Sequence, residues 1–163
     1  RPALKVIEYT VHGIPWLIIA SVTAVFAYSY RWNEKIQYSL LVLNIGLVLD
    51  LAVVGALKII VQRERPPENV DDQVFEAPIA DRYSFPSGHT SRATMLCVFL
   101  GYTFPRLTPV AVVFPLAVGY SRVAMGRHYF SDVLGGLAVG FLQGVLVLCT
   151  PMAVNRWMRR LFA

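Results

Sequence analysis

The chain has 163 residues, 56% of them hydrophobic and 15% charged, with a mean hydropathy of +0.53. Soluble domains carry roughly 45–50% apolar residues, so this excess excludes an ordinary soluble domain built on one core. The formal net charge is +5, but no basic stripe with interleaved aromatics accompanies it, which excludes nucleic acid as the expected partner.

Residues 2–10 ("PALKVIEYT") set Leu4, Ile7 and Tyr9 apart from Lys5 and Glu8, the pattern of a short amphipathic helix lying in a membrane interface. No small-residue cleavage site follows a short apolar core, so no secretory leader is expected. Long runs almost free of charge then occupy residues 13–30, 38–60, 90–104, 109–120 and 133–154. A helix crosses a bilayer with about 20 apolar residues. The second and fifth runs reach that length, the first is at the short end, and the third and fourth reach it by recruiting flanking polar residues. The expected fold is all-α, an integral membrane helical bundle of about five transmembrane helices plus an N-terminal amphipathic helix, in a single domain over residues 1–163. Cys97 and Cys149 sit inside apolar runs without CxxC spacing, so neither zinc nor a disulfide framework is expected. Asn44 and Asp50 lie within the second run, where a structural role bridging helices is the preferred reading.

Five helices alternate in direction, so the connections over 61–89 and 121–132 fall on one side of the membrane and those over 31–37 and 105–108 on the other. The first pair holds His89 and His128 and most of the unusual polar residues; His12 precedes the first helix at the interface. In "LKIIVQRERPPENVDDQ", Lys58 and Arg65 are seven residues apart, two helical turns. They share a face if the helix persists to Pro66, and Arg63 and Glu64 then point elsewhere. In "SFPSGHTSRA", Ser87 suits the cap of a third helix beginning near Thr90, and Gly88 lets the backbone approach a ligand. The N–H groups at such a helix start bind anions, and His89 beside them can hold or release a proton. In "SRVAMGRHYFSDV", Arg122 ends the fourth helix and Arg127 faces away. His128 and Asp132 share a face at i, i+4 if the fifth helix starts near residues 126–128. A carboxylate that accepts from one imidazole nitrogen leaves the other nitrogen's lone pair free to attack. Cations, N–H donors, a nucleophile and an acid on one membrane face are what phosphoryl transfer requires.

"KIIVQRERP" (K-x6-R-P), "PSGH" and "SRVAMGRHYFSD" (S-R-x5-H-x3-D) resemble, in order, the three motifs of the type 2 phosphatidic acid phosphatase superfamily. "LKVIEYTVHGIPWL" and "YSFPSGHTSRA" are similar to its polyisoprenoid diphosphate (presqualene diphosphate) phosphatases. That resemblance implies removal of phosphate from lipid phosphates and diphosphates without a metal or other cofactor, in the endoplasmic reticulum or nuclear envelope. It implies His128 as nucleophile through a phosphohistidine, Asp132 as the residue orienting it, and His89 as acid and then base. Lys58, Arg65 and Arg122 would hold the phosphate oxygens, with Ser87 and the Gly88 N–H beside them and Ser121 in a local role. The family's membrane enzymes usually have six helices, one more than the runs counted here. The implied partners are a lipid phosphate or diphosphate substrate and membrane lipids. A broad phosphatidate, lysophosphatidate and sphingosine-phosphate phosphatase is the alternative. A catalytically silent membrane interaction protein is a further one, against which intact His128, His89 and Asp132 argue. Asp71 and Asp72 read as a solvated acidic pair rather than a magnesium site.

Overall fold

A computed structural model describes residues 10–69 and 82–162, together with Val6. The expected amphipathic segment over 2–10 and the Asp71–Asp72 pair lie almost wholly outside the described residues. Among the described residues six α-helices are delimited in order: α1 (Gly13–Ser29), α2 (Glu34–Val61), α3 (Gly88–Thr103), α4 (Thr108–Ala124, entered through a 3-10 turn at Pro105–Leu107), α5 (Phe130–Leu148) and α6 (Met152–Leu161). No strand occurs among the described residues. The five apolar runs correspond to α1–α5, with one correction: the fifth run does not continue to residue 154. It stops at Leu148, and Pro151, which cannot donate the hydrogen bond a continuing helix needs, stands at the head of a separate helix, α6.

Among the described residues, three segments are long and apolar enough to cross a membrane: Glu34–Val61, Pro105–Ala124 and Phe130–Leu148. The apolar α1 is shorter, at 17 residues. Large hydrophobic side chains point outward along them, among them Ile18 and Ile19 on α1, Val112 and Val113 on α4, and Leu142 and Leu146 on α5. An apolar exterior of this extent belongs against hydrocarbon. The chain is an integral membrane helical bundle.

The inside is where the polar residues are. α3 packs against α2, α4 and α5, and Thr90, Ser91, Arg92 and Thr94 on it are buried. Surrounded by protein, α3 needs no apolar face of its own, which is why its run in the sequence is the least hydrophobic. Its polar groups tie helices together. Arg92 Nη2 lies 2.9 Å from Asp50 Oδ2 on α2, both side chains being buried. Ser91 Oγ donates to Asp50 Oδ1 at 2.7 Å and to Gln143 Oε1 on α5 at 3.3 Å. Asp50 therefore bridges helices as expected; its partner Arg92 was not foreseen. Removing one member of such a buried pair costs about 3–5 kcal/mol. Asn44 plays a lesser version of the role, accepting from Ser21 Oγ on α1 at 2.8 Å.

α5 approaches α3 along a stripe of glycines four residues apart, Gly136, Gly140 and Gly144. Small residues at this spacing let helix backbones come close in a membrane. At Gly140 a Cβ would stand 2.1 Å from the carbonyl oxygen of Ser91.

The two ends of the bundle are distinct, as alternation of the helices requires. At one end α6 is tied to the α1–α2 turn: Tyr28 Oη donates to Asn155 Oδ1 at 2.5 Å, and Arg159 Nη1 lies 3.1 Å from Glu34 Oε2. At the other end the connections over 61–69, 82–87 and 124–129 meet.

Gly140→Ala should destabilise the protein by about 1–3 kcal/mol, since a backbone oxygen cannot move aside as a side chain can. Gly55, around which a Cβ meets nothing within 4 Å, should instead tolerate alanine with a gain of roughly 0.5–1 kcal/mol from the lost backbone freedom. Thermal unfolding of both variants in one detergent, beside wild type, reads the opposite signs.

Candidate active site

α2 ends earlier than its sequence suggests. Gln62 takes a left-handed conformation (φ 50°, ψ 35°) and closes the helix after Val61, short of Pro66. Arg65 therefore does not share a helical face with Lys58. It reaches the site on an extended stretch, where its Nη1 donates to the carbonyl of Arg127 at 3.3 Å. Lys58 stays on the last turn of α2 and is 4% exposed. Arg63, expected to point away, points in. Its Nη1 is 2.9 Å from Asp132 Oδ1 and 2.6 Å from Ser131 Oγ, and its guanidinium lies over the Tyr129 ring at 4.1 Å.

The 82–87 stretch is pinned to this one. The Ser84 N–H donates to the Arg63 carbonyl at 2.8 Å, and Ser84 Oγ to the Glu64 carbonyl at 3.0 Å. A cis Phe85–Pro86 bond follows, and α3 starts at Gly88, two residues before the expected Thr90. Ser87 is the cap residue, as expected, but its side chain does not cap the helix. Its Oγ pairs with Thr90 Oγ1 at 2.9 Å, and its N–H donates to the Asp132 carbonyl at 3.0 Å. His89 lies in the first turn of α3. Its Nε2 is buried and has no hydrogen-bond partner among the described residues, and burial, then the charges of Arg122 and Arg92, disfavour its protonated form. The His12 ring meets the His89 ring edge-on, with centroids 6.2 Å apart.

α4 delivers Arg122, fully buried in its last turn, and Ser121, whose Oγ donates to the Val118 carbonyl at 2.7 Å. Ser121 thus has a local contact within its own helix. Arg127, read from the sequence as outward-facing, is 2% exposed; its N–H returns to the Arg122 carbonyl at 3.0 Å, which folds the loop inward. Gly126, at φ 71°, is the turn residue here, where the loop runs against the backbone of Glu68.

His128 precedes α5 rather than lying on it, because the helix begins at Phe130. Its Nδ1 is 2.8 Å from the Ser84 carbonyl oxygen and 3.6 Å from Asp132 Oδ2. A carbonyl only accepts, so Nδ1 carries the proton and Nε2 presents its lone pair. The expected acceptor, Asp132, stands beyond hydrogen-bond distance and contributes its charge instead. Asp132 is occupied otherwise: Oδ2 accepts from the Tyr129 N–H at 2.9 Å, capping α5, while Oδ1 faces Arg63. Burial, then the charges of Arg122, Arg65 and Lys58, push the His128 imidazole down to about 4, against the upward pull of Asp132. At neutral pH it is an uncharged base among cations. A cavity of about 400 Å³, lined by Pro66, Glu68, Val123, Met125, Tyr129 and Phe130 among others, lies against it.

Arg65, Ser87 and His128 thus lie on the three stretches that meet at one end of the bundle, and Lys58, Gly88, His89, Arg122 and Asp132 on the helix ends that adjoin them; the charges of Lys58, Arg65 and Arg122 reach His128. Arg63, Ser84, Arg92 and His12 belong to this end as well. Arg92 left a signal in the sequence, an arginine early in an apolar run when the intramembrane Asp50 needs a partner. Ser84 left none, since it acts through a carbonyl that every residue has.

A family model, the PAP2 superfamily, matches residues 38–156. Decaprenylphosphoryl-5-phosphoribose phosphatase of Mycobacterium tuberculosis is 33% identical over 136 residues, which is 83% of this chain and 71% of that one. Undecaprenyl-diphosphatase BcrC of Bacillus subtilis is 38% identical over 69 residues, 42% of this chain and 36% of that one. The crystal structure of a transmembrane PAP2-type phosphatidylglycerolphosphate phosphatase from Bacillus subtilis superposes with a TM-score of 0.66 at 27% identity, covering 90% of this chain and 74% of that one.

In protein labelled with 15N-histidine, the His128 imidazole should titrate with a midpoint near pH 4, its signal identified by its loss in His128→Ala. A midpoint near the ordinary value of about 6.5 would contradict a buried imidazole flanked by cations.

Proposed function

This chain belongs to the PAP2 superfamily and is an integral membrane phosphatase of lipid or polyprenyl phosphates; from that premise we propose that it hydrolyses polyisoprenoid diphosphates such as farnesyl, geranylgeranyl and presqualene diphosphate through a phosphohistidine at His128. The observation that carries the reading is the His128–Ser84 contact of 2.8 Å, which sets the Nε2 lone pair free within the field of Arg122, Arg65 and Lys58.

In the proposed sequence, Nε2 attacks the terminal phosphorus as the bridging P–O bond breaks. The electron pair of that bond goes to the leaving oxygen, which takes a proton from His89; the negative charge of the bound diphosphate favours the imidazolium that burial and the cations otherwise disfavour. Water then attacks the phosphohistidine, His89 takes its proton, and the P–N electrons return to His128. Lys58, Arg65 and Arg122, with the Gly88 N–H at the start of α3, hold the equatorial oxygens through both steps. Three buried or half-buried cations supply the charge a metal ion supplies elsewhere, so no metal is assigned. Ser87 supports the turn that carries Gly88 and His89. Asp132 orients the loop and stabilises the imidazolium side of the reaction.

The diphosphate preference has two supports. Both relatives are named for polyprenyl compounds, and the Bacillus subtilis one for a diphosphate, while Arg63 and Arg127 add positive charge beside the phosphate cations. A long isoprenoid tail stays in the bilayer while its head group enters at the helix ends. The protein works as one domain, and the resemblance to polyisoprenoid diphosphate phosphatases points to the endoplasmic reticulum or nuclear envelope.

His128→Ala should abolish turnover and with it the acid-labile phosphoenzyme that rapid quench traps from wild type; equal labelling in the variant rejects the nucleophile assignment. Vanadate should inhibit and EDTA should leave the rate unchanged, whereas loss on chelation restored by magnesium would bring the Asp71–Asp72 segment into the chemistry. Farnesyl diphosphate should exceed phosphatidate in kcat/KM in matched mixed micelles. A phosphatidate advantage of about tenfold, 1.4 kcal/mol in the barrier, would replace this reading with that of a general lipid phosphatase.

A further inference from the structure

We propose that His12 stands on the leaving-group side of the site, where it recognises the group that departs from the transferred phosphoryl and so sets the preference for diphosphates over monoesters. The inference rests on the phosphohistidine reading above. In-line displacement puts the leaving oxygen on the side of phosphorus away from the nucleophile, and the acid that protonates it stands there. His89 is that acid, and the His12 imidazole meets its ring edge-on at 6.2 Å between centroids. When the leaving group is itself a phosphate, its oxygens lie two bonds beyond the bridging oxygen, past the acid and toward the second imidazole. When it is an alcohol, hydrocarbon lies there and offers no acceptor.

The fold seats His12 through the backbone on either side of it. Before it, the Val11 carbonyl accepts from Arg92 Nη1 at 3.1 Å, and the Val11 side chain is buried against Ala93 and Val118. After it, Gly13 lies so near the Arg92 guanidinium that a Cβ would stand 2.6 Å from Cζ. Trp16 Nε1 donates to the Thr10 carbonyl at 2.6 Å and closes the turn from outside. Arg92 is held in turn by Asp50 at 2.9 Å. An ion pair inside the membrane thus terminates on the two residues that flank one histidine. A pair needed only to join α2 to α3 has no reason to reach the start of α1. His12 contributes an N–H donor to the departing phosphate and exchanges no proton in the step; the proton comes from His89, and the electron pair of the broken P–O bond leaves with the isoprenyl phosphate.

The experiment compares farnesyl diphosphate with farnesyl monophosphate in the same mixed micelles for wild type, His12→Ala and His12→Gln, with thermal unfolding and vanadate binding as controls for folding. A lost hydrogen bond to a charged group is worth about tenfold or more in rate constant. The expected result is a fall of about tenfold in the diphosphate-to-monophosphate ratio of kcat/KM for His12→Ala, partly restored in His12→Gln, which keeps an N–H donor. A ratio within about twofold of wild type in folded His12→Ala, or equal losses on both substrates, overturns the proposal; should His12→Ala fail to fold, His12→Leu, which also lacks a donor, decides in its place. Wild-type protein that releases phosphate from neither substrate overturns the phosphatase reading instead, and this inference falls with it.

Discussion

One carboxylate, that of Asp132, holds the reacting end of this protein together. It accepts from the Tyr129 N–H at the head of α5, faces Arg63 from the stretch after α2, and lies 3.6 Å from His128. Its own backbone carbonyl accepts from Ser87 at the head of α3. Each of the three stretches that build the site therefore touches the same residue. A charged group fully withdrawn from water is costly unless several donors compensate it, and those donors come from different parts of the chain. The cost of burying Asp132 is thereby turned into a constraint on how the three stretches sit.

The remainder of the bundle follows from the same economy applied inside a membrane. Hydrocarbon cannot satisfy polar groups, so Arg92, Asp50, Ser91 and Gln143 are placed on faces that look at other helices. α3 can afford so polar a sequence only because α2, α4 and α5 enclose it, and the glycines of α5 let the last of these come close. The sparse core clusters, such as Ala20, Leu47, Met95 and Leu96, fill the space between these ties.

Most of the architecture could be read in the sequence because long uncharged runs have one economical solution in a bilayer, the helix. The polar residues gathered at one end of the bundle stand out in the sequence because side chains of unusual type recur there at spacings that chemistry explains. What escaped reading depended on backbone detail. A helix over Lys58–Pro66 was expected from its apolar approach, yet Gln62 closes it early, and that single left-handed residue turns Arg63 inward. The His128–Asp132 spacing suggested a helical pair, but α5 starts two residues after His128, and a main-chain oxygen takes the place of the carboxylate. Arg127 looked superfluous until the Gly126 turn folded it under the loop. Composition and period carry no information about such turns, and none about which carbonyl an imidazole will find.

The clasp between Ser84 and Arg63, with 20 residues between the two positions, closes at 2.8 Å. It lies just before the turn that carries Ser87 and Gly88 and just after α2. The two described ends of the connection between α2 and α3 are held to each other at that base. Since the entropy of closing a loop rises slowly with its length, the intervening segment is free to lengthen, shorten or change composition while the chemistry at its base persists. In evolutionary terms such a clasp is a place where inserted sequence can bring new specificity or control without redesign of the frame beneath it.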